Sequence, residues 1–165
     1  MDEFDRLARE VLDACKASGL MLATVESCTG GMVAAALTAI PGSSAVVERG
    51  FVTYSNEAKH AMVGVPMDLI IAHGAVSEPV ARAMAEGALE RAPVDLAVSI
   101  TGIAGPGGAT ATKPEGLVHF GCARTGVETS HSRIEFGAIG RGEVRRQSVL
   151  HALAMLVETA NLDRS

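Results

Sequence analysis

At 165 residues the chain has room for one domain with a sizeable core and is short for two. Hydrophobic residues at 48% against 20% charged exclude a disordered polymer. A net charge of −5 and only five aromatics, four Phe and one Tyr, exclude the basic footprint and stacking platform of a nucleic-acid binder.

The first ten residues, MDEFDRLARE, are acidic and amphipathic, the opposite of a signal or transit peptide. From Glu3 to Lys16, Phe4, Leu7, Ala8, Val11, Leu12 and Cys15 recur at helical spacing, and Gly19 supplies a stop. Residues 20–25, LMLATV, read as a buried strand. Residues 30–40, GGMVAAALTAI, are apolar over most of the helical circumference and read as a buried helix ended by Pro41-Gly42. The apolar run inside it is about half of the roughly 20 residues that a bilayer demands, so no membrane partner is expected. Residues 45–55, AVVERGFVTYS, read as a strand with a bulge at Gly50.

Asn56 offers an N-cap for a short helix over residues 57–64, and a second short helix is expected from Met67 to Ala72. Ser77 caps a longer one that tolerates Pro79 in its first turn and runs to about Arg91. Residues 94–102 form a strand that enters a glycine-rich loop, 102–116. Two strands, 117–124 and 128–136, are joined at Gly126 as a hairpin, and a last helix covers roughly Gly142 to Asn161. Helices alternating with strands, then a hairpin, predict an α/β fold: a three-layer α/β/α sandwich on a mixed sheet, as a single domain over 1–165.

Cys15, Cys28 and Cys122 are odd in number and widely spaced. They form no disulfide framework, and no CxxC or HxxxH pair suggests a metal. Cytoplasm is the expected compartment.

Four stretches carry possible chemistry. In ESCTGG (26–31), Ser27 and Cys28 lie where a strand turns into a helix, and free N–H groups and the positive end of the dipole collect there. Gly30 and Gly31 would let a phosphate or a developing oxyanion approach the backbone. The plainer reading is that Ser27 or Thr29 caps the helix and that Cys28 is a small buried hydrophobe. In TYSNEAK (53–59), Lys59 falls in the first turn of a helix, the wrong end for a cation. Its neutral form is favoured there, more so if it is desolvated, and a neutral amine can serve a serine as general base. A solvated lysine paired with a surface acid is the alternative. Tyr54 either orients that pair, stacks on a ring, or is a half-buried strand residue.

The loop SITGIAGPGGATATKPEG (99–116) lacks both GxGxxG and GxxxxGK[ST], yet its N–H groups and Thr101 could line a nucleotide site. In GRGEVRRQ (140–147), Arg141 and Arg145 stand four apart near a helix start. A bound phosphate would resolve their repulsion; a solvated face with Glu143 as partner is the alternative.

Taken in order, ESCTGG, RGFVTYSNEAK, HGAVSEPVA, SITGIAGPGG…KPEG and VRRQ resemble the CinA C-terminal domain family, also called nicotinamide-nucleotide amidohydrolases. The resemblance runs from about Ala8 to Leu156. It implies hydrolysis of the carboxamide of nicotinamide mononucleotide to nicotinic acid mononucleotide and ammonia, without cofactor or metal, in pyridine nucleotide recycling. By position it places the serine nucleophile on Ser27 and the catalytic lysine and tyrosine on Lys59 and Tyr54. Substrate binding would fall to Cys28, Thr29, Gly30, Gly31, Thr101, Gly102, Ala104, Gly105, Arg141 and Arg145. Relatives often carry Asp where this chain has Gly140, which bears on Arg141 more than on Arg145. The expected partner is the small-molecule substrate, and the expected assembly a homo-oligomer. A non-catalytic nucleotide-binding or competence/damage-inducible interaction module is the rival reading.

Overall fold

The structure, a computed structural model, describes residues 3–162; positions 1–2 and 163–165, at the ends of the expected domain, lie outside the described residues. Five strands are built: β1 (Leu22–Glu26), β2 (Val47–Val52), β3 (Leu96–Gly102), β4 (Leu117–Arg124) and β5 (Val127–Glu135). They lie in the order β2-β1-β3-β4-β5. The first three are parallel and the hairpin β4–β5 continues antiparallel, as expected of a mixed sheet.

The helices are α1 (Glu3–Ser18), α2 (Met32–Thr38), α3 (Asn56–Val63), α4 (Met67–His73), α5 (Glu78–Arg91) and α6 (Arg141–Ala160). Because side chains alternate across a strand, the sheet feeds two separate cores. Leu22, Leu96, Val98, Ile100, Val118 and Phe120 pack with α1, α2 and α6. Ala23, Val25, Phe51 and Ala97 pack with Val63 of α3, Ile70 of α4, and Val80, Met84 and Ala88 of α5. The three-layer sandwich follows.

With so few aromatics, the core closes by bringing backbones together. A Cβ added at Gly121 would stand 2.6 Å from the Ala81 carbonyl oxygen, so α5 lies directly on β4. At Gly87, inside α5, an added Cβ would stand 1.9 Å from the Val63 carbonyl oxygen. Alanine gains roughly 1 kcal/mol of helix propensity over glycine, but overpacking of this kind costs about 1–3 kcal/mol. Gly87→Ala is therefore expected to lower the denaturant midpoint, with the m-value unchanged.

Some boundaries differ from expectation. The buried helix forms only over Met32–Thr38, because Gly30 and Gly31 adopt φ of 57° and 107° and belong to the turn before it. A 3-10 turn, Ser43–Ala45, takes the start of the expected second strand. The bulge is not at Gly50. Leu22 pairs with Val47 and Ala23 with Arg49, so Glu48 is the extra residue. Gly50 pairs in register with Thr24, and a Cβ there would stand 2.7 Å from the Thr24 hydroxyl oxygen. Ser55, not Asn56, caps α3, its hydroxyl accepting from the Ala58 N–H at 3.0 Å. Ser77 precedes α5 without capping it through its side chain; its hydroxyl donates to the Gly74 carbonyl at 2.8 Å.

Candidate active site

Strand order places the site. From β1 the chain passes through α2 to β2 on one side; from β2 it passes through α3, α4 and α5 to β3 on the other side of β1. Right-handed crossovers running in opposite directions must use opposite faces of the sheet. The chain therefore leaves the carboxyl ends of β1 and β2 toward opposite faces, which opens the crevice where open α/β sheets bind ligands. A cavity of about 190 Å³ lies there, and Ser27, Cys28, Tyr54 and Lys59 are in its wall.

Ser27 follows β1 directly, and its N–H donates to the Ile100 carbonyl at 3.0 Å, tying it to β3. The turn beyond it is organised by Glu26, which sequence reasoning passed over. This wholly buried carboxylate accepts from the Thr29 hydroxyl at 2.6 Å and from the N–H groups of Gly31, Val33 and Ala34 at 3.2, 2.9 and 3.0 Å. Glu26, rather than Ser27 or Thr29, thus caps α2. The donors expected to wait there for a ligand are already bound by the protein's own carboxylate. The Gly30 N–H is also committed, to the Ser27 carbonyl at 3.0 Å.

Lys59 is 1% exposed. It is the fourth residue of α3, and the helix aims its side chain back under the turn. The Nζ lies 3.3 Å from Ser27 Oγ, 2.9 Å from the Thr53 carbonyl oxygen and 3.5 Å from that of Tyr54. No carboxylate forms an ion pair with it among the described residues. Burial, only partly opposed by the Cys28 thiol nearby, lowers its pKa from the ordinary lysine value. The two carbonyls can take both hydrogens of a neutral amine, which leaves its lone pair facing the serine hydroxyl.

Cys28 lines the cavity but is no competitor. Burial pushes its thiol up to about 11, so the thiolate is scarce at neutral pH. Cys28→Ala is expected to keep most of its turnover and lose only any sensitivity to alkylation, as a steady-state assay with iodoacetamide will read.

Thr101 and Gly102, at the end of β3, and Ala104, just beyond it, also line the cavity. The Thr101 hydroxyl donates to the Ala75 carbonyl at 2.9 Å, and Lys113 Nζ to the His73 carbonyl at 2.6 Å, so the glycine-rich loop is tied to the α4–α5 connection. Tyr54, 62% exposed, stands at the mouth. Its hydroxyl accepts from Arg141 at 3.0 Å, and Arg141 also donates to the Gly105 carbonyl at 2.8 Å. The phenol therefore does not reach the amine; the Tyr54 backbone carbonyl does.

Thr29, Gly30, Gly31 and Gly105 lie outside the cavity lining, and so does Arg145. The Arg145 guanidinium donates to the carbonyls of Cys28 and Thr29 at 3.1 and 3.4 Å. Glu143, weighed as a partner for these arginines, pairs with Arg146 at 2.7 Å. Three lining residues were missed: Asn56, released by Ser55 from capping, and Ala75 and Val76, whose small or apolar side chains carry no chemical signal. Among the described residues no cluster of three or more His, Cys, Asp or Glu is arranged to hold a metal ion, and no helix is long and apolar enough to cross a membrane.

A model of the CinA C-terminal domain matches residues 4–160. The chain is 51% identical over 154 residues to the nicotinamide-nucleotide amidohydrolase PncC of Escherichia coli strain K12, covering 93% of both proteins. It spans about a third of the length of other curated relatives. One is a CinA-like protein from Parasynechococcus marenigrum, 47% identical over 92% of this chain and 36% of that protein. The crystal structure of the competence/damage inducible protein CihA from Agrobacterium tumefaciens superposes with a TM-score of 0.94 at 48% identity, covering 98% of each chain.

Proposed function

The chain belongs to the CinA C-terminal domain family, and from that premise we propose that it hydrolyses the carboxamide of nicotinamide mononucleotide, with Ser27 as nucleophile and Lys59 as its base. One observation carries the reading: a buried amine, with no carboxylate partner among the described residues, lies 3.3 Å from a serine oxygen in the wall of a cavity. A binding module needs the cavity but has no use for that pair.

The neutral Lys59 amine takes the Ser27 proton as Oγ attacks the amide carbon. Since the N–H groups of Gly30 and Gly31 are committed elsewhere and Thr29 lies outside the cavity lining, the oxyanion falls to the amide of Cys28. The tetrahedral intermediate collapses by breaking the C–N bond, and Lys59 returns the proton so that ammonia leaves. Water then attacks the acyl-serine, again giving its proton to Lys59. The C–Oγ bond then breaks, Lys59 returns that proton to Ser27, and the carboxylic acid leaves and gives its remaining proton to solvent. Tyr54 and Arg141 at the mouth suit the pyridine ring and the 5′-phosphate.

The deciding experiment is ammonia release from purified protein with nicotinamide mononucleotide, followed by coupled glutamate dehydrogenase, with nicotinic acid mononucleotide identified chromatographically. Saturable binding of the nucleotide without ammonia would leave the rival module standing and remove the amidase.

A further inference from the structure

We propose that Arg145 and Glu26 are paired positioning residues, which grip the Ser27–Gly31 turn from opposite sides and aim its peptide groups without touching substrate. The inference rests on Ser27 being the nucleophile.

Glu26 works from beneath. Its carboxylate is fully buried, with no cation paired to it among the described residues, and four donors converge on its two oxygens. A polar group at that depth persists only when its oxygens are hydrogen-bonded, so the turn and the first turn of α2 are fixed to each other. Arg145 works from α6, through Nε to the Cys28 carbonyl and Nη2 to the Thr29 carbonyl. In a planar trans peptide the carbonyl and the next N–H point in opposite directions. Drawing the Cys28 carbonyl toward Arg145 therefore turns the Thr29 N–H away from it. Drawing the Thr29 carbonyl the same way turns the Gly30 N–H away, and that N–H is found on the Ser27 carbonyl.

Gly30 is part of the device. It adopts φ of 57°, and a Cβ there would come within 3.3 Å of the Arg145 guanidinium. A phosphate clamp would need Arg145 to face the cavity. Its bonds run instead to two backbone oxygens, and Arg141, one helical turn earlier, is the arginine in the cavity wall.

The test uses full-length Arg145→Ala and Arg145→Lys, which alter a half-buried side chain, with Glu26→Gln as a second probe that is scored only if its circular dichroism is native. Each is assayed on nicotinamide mononucleotide and on nicotinamide riboside, and the sulfonylation rate of Ser27 by phenylmethanesulfonyl fluoride is followed by mass spectrometry. Arg145→Ala is expected to lower kcat on both substrates by about 10²-fold, the scale of a misaimed oxyanion donor, with KM unchanged. Arg145→Lys should restore part of it. A merely structural role would leave kcat of the folded fraction intact, and that result overturns the proposal. A rise in KM confined to the phosphorylated substrate also overturns it, by making Arg145 a phosphate ligand.

Should wild type release ammonia from neither substrate, the amidase reading fails on its own, and sulfonylation still decides. Slower labelling of Ser27 in Arg145→Ala upholds positioning. Equal rates, or no labelling in wild type, refute it.

Discussion

Ser27→Ala should release no measurable ammonia from nicotinamide mononucleotide while unfolding close to the wild-type midpoint. The two halves of that result have separate causes. Removing the nucleophile of a serine hydrolase costs on the order of 10⁶-fold in kcat, because the other groups have nothing to activate. The fold loses little. The Ser27 N–H stays on the Ile100 carbonyl, Glu26 still caps α2, and Lys59 keeps the Thr53 and Tyr54 carbonyls. The one hydrogen bond removed is worth about 1 kcal/mol. Ammonia release and urea denaturation on the same preparation check both halves, and near-wild-type turnover would sink the nucleophile assignment.

Lys59→Met is expected to be comparably inactive, and it also exposes the state of the amine. Burial lowers the folded-state pKa of Lys59 below its ordinary 10.5. Between the folded value and the unfolded one, the unfolded chain binds more protons, so wild-type stability rises with pH across that window. The methionine variant has no such proton to take up. The stability of wild type minus that of the variant should therefore grow with pH up to about 10.5 and then level off. Denaturant titrations at a series of alkaline pH values measure it. A difference that shrinks with pH would mean that the fold stabilises the ammonium, and the base assignment would go with it. In wild type, kcat/KM should climb with pH along an acid limb centred below 10.5, as the free enzyme loses the Lys59 proton.

What the sequence disclosed follows from the kind of signal each feature leaves. The helices and strands were legible because burial imposes a period, and the layered α/β architecture because elements alternate before a hairpin. Ser27 and Lys59 stood out by residue type and by their places after a strand and early in a helix, and the structure brings them together. Glu26 stayed hidden because three of its four partners are backbone N–H groups, which every non-proline residue carries, so no spacing announces them. Gly50 misled for a related reason: a glycine in a strand signals close approach as readily as a bulge, and here it makes room for Thr24. The four-residue spacing of Arg141 and Arg145 put them on one helix face. It could not say that one turn of α6 separates the cavity wall from the backbone just beyond Ser27.

Two of the three groups around the Lys59 amine are main-chain oxygens, at Thr53 and Tyr54. Such atoms are supplied whatever side chain the codon specifies. Drift at those two positions is thus filtered by whether the polypeptide still leaves β2 along the same trajectory, and only weakly by side-chain identity. Transplanting the dyad into a foreign scaffold would require carrying over that exit path, since a serine and a lysine alone would arrive without the oxygens that hold the amine in place.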